Sequence, residues 1–143
     1  MIKVLINGID GKMGQVLYNE IQSSENFECI GGADKEKNIY DIATIPDVII
    51  DFSVPTATLS MLKYAEEKQV PVVIATTGFS NEDLDVIKNY SSRLPIFKSA
   101  NMSYETNLMI SLVSKLAQEL NKSDIEILPK EPNWLVISSE ILP

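Results

Sequence analysis

Val4-Leu5-Ile6-Asn7-Gly8-Ile9-Asp10-Gly11-Lys12-Met13-Gly14 carries a short apolar strand straight into three glycines spaced G-x-x-G-x-x-G, and a helical pattern follows. A glycine lets the chain turn sharply out of the strand, and a second removes a Cβ that would block a ligand. The free N–H groups and the positive dipole end of the next helix then face whatever binds there, which suits a diphosphate. The spacing differs from the commoner G-x-G-x-x-G, whose first two glycines lie closer together. The remainder of the chain has to support the reading.

Outward from that stretch, short apolar runs alternate with amphipathic segments. Ile2 to Asn7 reads as a strand, and Lys12 to Ser23 as a helix with Met13, Val16, Leu17, Glu20 and Ile21 at helical spacing. Phe27 to Ala33 is a second strand, and Lys35 to Thr44 is polar with at most one short turn of helix. Asp47 to Asp51 is a continuous apolar run of the kind buried on both faces of a parallel sheet. Ser53 and Pro55 open a helix to about Lys68, with Leu59, Leu62 and Ala65 facing inward. Val70 to Ala75 is a fourth strand, Ser80 caps a helix from Asn81 to about Tyr90, and Leu94 to Phe97 is a fifth strand. A long helix runs to about Asn121, and Asp124 to Leu128 is a sixth strand. Alternation of this kind predicts a doubly wound α/β domain with a parallel sheet, a Rossmann-like dinucleotide-binding architecture. From Leu128 onward the alternation stops, although Leu135 to Ile137 could make a strand.

Composition narrows the function classes. The 143 residues suffice for one domain with its own core. A net charge of -8, with twelve scattered Lys and Arg, argues against nucleic acid, which needs clustered cations. No segment approaches the roughly 18 apolar residues of a membrane span, and Met1-Ile2-Lys3 leads into a strand with no leader pattern. The single Cys29, in an apolar stretch, reads as a strand residue in a reducing cytoplasm. The chain contains no histidine, and no metal site is expected.

In an open α/β sheet, ligands bind at the carboxyl ends of the strands. Asp34 ends the second strand twenty residues beyond Gly14, where an acidic side chain accepts hydrogen bonds from an adenosine ribose. Lys35 follows and could pair with a 2′-phosphate, so the two together suggest tolerance of both NAD(H) and NADP(H). Asp51-Phe52-Ser53, Ala75-Thr76-Thr77-Gly78 and Ser99-Ala100-Asn101-Met102-Ser103 leave the later strands. Small and hydroxylated residues thus recur where backbone must lie close to a flat cofactor. Asn101 could equally brace its own turn, and Asp51 could serve only nearby N–H groups.

Gly8 to Gly14, Ile50-Asp51-Phe52-Ser53-Val54-Pro55, Thr76-Thr77-Gly78-Phe79, Ser99 to Ser103 and Asp124-Ile125-Glu126-Ile127 together resemble the N-terminal, cofactor-binding domain of dihydrodipicolinate reductase, an NAD(P)H-dependent enzyme of diaminopimelate and lysine biosynthesis. The resemblance covers residues 1 to about 127. It implies that Gly8, Ile9, Asp10, Gly11, Lys12 and Met13 bracket the pyrophosphate, and that Asp34 and Lys35 lie at the adenosine ribose. Ala75, Thr76 and Thr77, and Ser99, Ala100, Asn101 and Met102, are implied to line the nicotinamide half. Lys12 stands where arginine is usual and Ala75 where glycine is usual; both keep the relevant character.

Two departures weigh more. Glu105 stands at a usual glycine, where it is expected to disturb the entry to the long helix. After Ile127 the family continues with a histidine pair, a nearby lysine and a D-A-P-S-G-T-A loop that opens the substrate domain. Here Leu128-Pro129-Lys130-Glu131-Pro132-Asn133-Trp134 follows instead. The expectation is a dinucleotide-binding domain over 1–127 and an atypical tail over 128–143, with no catalytic residue of its own. Such a chain binds NAD(H) or NADP(H), takes a small cyclic dicarboxylate only if a substrate domain is supplied, and is not expected to form the family's homotetramer. The rival readings are a nucleotide- or CoA-binding regulatory module of the same fold, and a non-catalytic remnant.

Overall fold

The computed structural model describes residues 1–120, 126–130 and 134–138. They fall into two compact units, Met1–Ala100 and Asn101–Pro143, each described by itself.

The first unit is a five-stranded sheet of β1 (Ile2–Asn7), β2 (Phe27–Ala33), β3 (Val48–Asp51), β4 (Val72–Ile74) and β5 (Ile96–Lys98). All neighbours are parallel, in the order β2-β1-β3-β4-β5. The helices are α1 (Lys12–Gln22), α2 (Pro55–Lys68) and α3 (Asn81–Ser91), and a short 3₁₀ helix (Ile39–Asp41) follows β2. This is the expected doubly wound α/β sheet. β1 and β2 occupy the expected residues, because an apolar run bounded by turn residues marks both ends locally.

Strand side chains alternate between two layers. Leu5, Ile49, Val72 and Ile74 pack with Met61, Leu62 and Ala65 of α2 and Ile87 of α3. Val4 and Ile6 pack with Ile21 of α1. Burial of each such aliphatic side chain contributes about 1.5–3 kcal/mol. On α1 the expected inward stripe is narrower than its periodicity suggests. Ile21 is buried and Leu17 half-buried, but Met13, Val16 and Glu20 are exposed. The buried face runs through Gly14, which brings α1 close to the strand exit.

Capping follows the sequence closely. Ser80 Oγ accepts the Asp83 N–H (3.1 Å) while the Asp83 carboxylate accepts the Ser80 N–H (3.0 Å), a reciprocal box that starts α3. Pro55 occupies the first turn of α2, where its missing N–H costs nothing.

In the second unit, α4 (Tyr104–Glu119) is capped by Ser103 Oγ, which accepts the Thr106 N–H. Glu105 does not disturb this start. Its carboxylate accepts the Ser103 hydroxyl (2.9 Å), and its own backbone N–H and Ser103 hold its carboxyl below the usual range. An acid in the first turn complements the helix dipole. β6 (Glu126–Lys130) pairs antiparallel with β7 (Trp134–Ser138), in the register Glu126↔Ser138 and Lys130↔Trp134. The sixth strand therefore does not continue the parallel series. β6 and β7 form a two-stranded sheet of their own, and the short connection from Lys130 to Trp134 makes that pair antiparallel, because a parallel neighbour needs a crossover of a dozen or more residues. The expected strand at Leu135 to Ile137 lies within β7.

Candidate functional site

The sheet order reverses beside β1: the chain goes from β1 to β2 on one side and returns to β3 on the other. Loops leaving β1 and β3 must part there, and their parting opens a crevice at the carboxyl ends of the strands. Two cavities occupy it, of about 550 and 670 Å³, and they share Asn7, Asp34, Lys35, Ala57 and Ser60. Each lies within the size range of small-molecule sites.

The glycine loop forms one wall. Gly8 has φ +86°, and a Cβ there would lie 2.5 Å from the Phe52 carbonyl oxygen, so only glycine makes this turn. A Cβ on Gly14 would lie 2.1 Å from the Gly8 carbonyl oxygen. Gly14 thus allows the first turn of α1 to rest on the bend itself. Gly11 starts α1 with no side-chain cap, and no acid stands in the first turn. The helix N–H groups and dipole are left for an anionic partner.

Asp34 stands across the mouth of this loop. Its Oδ2 accepts the Asp10 N–H at 3.0 Å and its Oδ1 accepts the Lys35 N–H at 2.8 Å. Backbone bonds between Asp34 and Lys37 close a tight turn after β2. From it Lys37 Nζ reaches back to Asp10 Oδ1 at 2.7 Å. The Asp10 carboxylate holds the Lys37 ammonium above the usual lysine range. A carboxylate oriented by two backbone donors keeps lone pairs for further hydroxyl groups.

Among the residues expected to bind, Gly8, Asp10, Gly11, Asp34 and Lys35 line the larger cavity. Ile9 turns inward instead, against Gly32 and the α1-side core. Lys12 and Met13 are exposed on the first turn of α1 and do not line either cavity. Ala75, Thr76 and Thr77 leave β4, and Thr76 is buried with its hydroxyl accepting the Ser53 N–H at 2.9 Å. Ser99 and Ala100 leave β5, and the Ser99 N–H donates to the Ile74 carbonyl. Asn101 and Met102 belong to the second unit, where Asn101 Oδ1 accepts the Ser103 N–H (2.9 Å) and so braces its own turn.

Further lining residues come from the exit of β3, which the sequence marks only as Asp51-Phe52-Ser53, and from the start of α2. Phe52, Ser53, Val54 and Thr56 line the larger cavity, and Ala57 and Ser60 line both. The available signal was the cluster of small residues in Pro55-Thr56-Ala57-Thr58-Leu59-Ser60, which leaves the first turns of α2 without bulk on one face. Ile39 and Tyr40 close the smaller cavity. The Tyr40 hydroxyl donates to Glu67 of α2 at 3.2 Å, and its ring meets Tyr64 edge-on at 5.2 Å. Among the described residues no cluster of His, Cys, Asp and Glu could hold a metal, and no helix is long and apolar enough to cross a membrane.

A doubly wound sheet with a glycine-turned crevice at its strand switch, and a carboxylate across the mouth, defines a dinucleotide-binding domain. The chain belongs to the dihydrodipicolinate reductase family: residues 2–102 match the model described as "Dihydrodipicolinate reductase, N-terminus". It is 39% identical over 142 residues to the 4-hydroxy-tetrahydrodipicolinate reductase of Caldanaerobacter subterraneus subsp. tengcongensis, covering 93% of this chain and 57% of that protein. The same-named protein of Clostridium tetani is 36% identical over 149 residues, covering 96% and 58%. Among solved structures, a dipicolinate-bound dihydrodipicolinate reductase from Paenisporosarcina sp. TG-14 superposes with a TM-score of 0.65 at 26% identity, covering 82% of this chain and 54% of that one. The chain thus spans a little over half the length of these relatives. The family's N-terminal domain takes NAD(H) or NADP(H). The crevice fits such a cofactor: Gly8 makes a turn against Phe52 that no residue with a Cβ could make, the α1 start is uncapped, and Asp34 supplies an oriented acceptor.

Proposed function

We propose that the β1/β3 crevice holds the nicotinamide dinucleotide of a 4-hydroxy-tetrahydrodipicolinate reductase, an oxidoreductase of diaminopimelate and lysine biosynthesis. The observation that carries this is Asp34, held by the Asp10 N–H so that ribose acceptor and glycine loop form one surface. In this reading Gly8 to Met13 and the start of α1 receive the diphosphate, and the Asp34 carboxylate accepts the adenosine ribose hydroxyls. Lys35 pairs with a 2′-phosphate when one is present. Ala75 to Thr77 and Ser99 to Met102 serve the nicotinamide half. The bound cofactor supplies a hydride; the protein orients the ring and limits water around it. Such a biosynthetic role places the protein in the cytoplasm.

The 143 residues contain no histidine, whereas the family resemblance implies a histidine pair after Ile127. General acid catalysis contributes about 10²–10⁴-fold. We therefore propose that these residues by themselves bind the dinucleotide and reduce a cyclic dicarboxylate poorly or not at all.

Titration of the 143-residue chain with NADH, NADPH and CoA, followed by nicotinamide fluorescence and calorimetry, tests the reading. Saturable NADH or NADPH binding is expected. Binding of CoA alone would favour a regulatory module, and a folded chain that binds none would mark a remnant. Oxidation of NADH on 4-hydroxy-tetrahydrodipicolinate at the rate of a full-length relative would overturn the proposed incompleteness.

A further inference from the structure

Asp51, at the carboxyl end of β3, is 0% exposed and has no role in the reading above. Its register partners are Asn7 in β1 and Ile74 in β4. An apolar residue could occupy the same strand end, as Ile74 does, without the cost of desolvating a carboxyl group. Asp51 instead gathers three side-chain donors. Asn7 Nδ2 donates to Oδ1 at 2.8 Å, Ser53 Oγ to Oδ1 at 2.5 Å, and Thr58 Oγ1 to Oδ2 at 2.6 Å. Asn7 Nδ2 also donates to Ser53 Oγ at 3.0 Å.

Two of the donors line the crevice and the third, Thr58, lies buried behind its α2 wall. Asn7 lines both cavities and Ser53 the larger one. Thr58 lies in the opening turns of α2, between the lining residues Ala57 and Ser60. Ser53 is fixed from both ends, because its N–H donates to Thr76 Oγ1 at 2.9 Å while its hydroxyl is held by Asp51. The adjoining Phe52 carbonyl occupies the space that a Cβ on Gly8 would need. A small shift of the 52–54 segment therefore changes the contact on which the glycine turn rests.

We infer that Asp51 is a positioning residue for the cofactor: acting through Ser53 and Thr58, it sets the β3–α2 wall of the crevice against the Gly8 turn. The inference rests on the proposed dinucleotide site. It assigns a ligand-dependent role to a carboxylate that does not line either cavity.

The test is a double-mutant cycle on the 143-residue chain, comparing wild type, Asp51→Asn, Ser53→Ala and the double variant. NADH affinity is read by fluorescence and folding by thermal melting. Asn replaces the carboxylate with a group of the same shape but turns one acceptor into a donor facing Thr58. The expected result is a cooperatively melting Asp51→Asn variant with NADH binding at least about tenfold weaker. The double variant should then bind no more weakly than Asp51→Asn alone, because coupled residues do not act additively. Should Asp51→Asn fail to fold, Thr58→Val removes one donor only, and a roughly threefold loss of NADH affinity is expected. Wild-type affinity in a folded Asp51→Asn variant, losses that multiply in the double variant, or unchanged affinity in Thr58→Val would each overturn the inference. If wild type itself binds neither NADH nor NADPH, the cofactor reading fails and the inference falls with it.

Discussion

The Asp34 carboxylate accepts the backbone N–H of Asp10 at 3.0 Å, joining the end of β2 to the glycine loop after β1. An acceptor for ribose and a loop for phosphate are thereby held in one piece before any ligand arrives. Preorganisation of this kind reduces the ordering cost of binding.

Removing that acceptor should weaken NADH and NADPH alike. Hydrogen bonds to a charged group contribute about 1.5–3 kcal/mol, so Asp34→Ala is expected to lower both affinities roughly 10- to 100-fold. Lys35→Ala should weaken NADPH selectively and leave NADH nearly unchanged. Fluorescence titration of both cofactors measures this, and equal affinities in all three proteins would exclude the ribose assignment.

The glycines separate steric from conformational effects. Gly8→Ala meets the Phe52 carbonyl in addition to carrying a positive φ, and Gly14→Ala meets the Gly8 carbonyl at 2.1 Å. Gly78→Ala has a positive φ of +83° but nothing within 4 Å of its Cβ. Denaturant unfolding should show a loss of about 1–2 kcal/mol for Gly78→Ala, the backbone cost alone, and a larger loss for the other two.

The Lys37–Asp10 pair predicts a pH dependence with a definite sign. The folded lysine titrates above its ordinary 10.5. Its contribution to stability is complete below the unfolded value and disappears as pH rises through the folded one. Between about pH 6, where carboxylates are charged, and about pH 10, thermal melts of wild type and Lys37→Met should therefore differ by a constant amount, and they should converge above it. A gap that persists unchanged at the alkaline end would show that the pair contributes nothing through its charge.

Core and surface apolar residues should part company on α1 and α2. Leu62→Ala, at a fully buried site, is expected to cost about 2–5 kcal/mol. Val16 shares the helical spacing of a core residue but is 52% exposed, so Val16→Ala should change stability by no more than about 0.5 kcal/mol. Urea denaturation of the two variants decides whether periodicity or burial governs this helix.

Much of the architecture was legible before any contact was known. Alternating periodicity marked β1 to β5 and the helices between them, since each element's apolar spacing and capping residues are local properties. Ser80 and Asp83 announce the start of α3 because a capping box spans only four residues. Asp34 could be placed by counting from Gly14, because the length of the β1–α1–β2 unit is narrowly constrained.

The tertiary structure decided what depends on neighbours distant in sequence. Asp51 reads as an ordinary strand-end acid until Asn7, 44 residues away, is seen to donate to it. Ala57 and Ser60 become cavity walls only because β3 lies beside β1 and swings α2 across the switch point. β6 could be recognised as a strand from its residues, yet its partner is β7 and not the parallel sheet. Local sequence dictates dihedral preference and which face of an element is apolar. Which elements meet, and so which polar groups share one buried space, follows from packing of the whole.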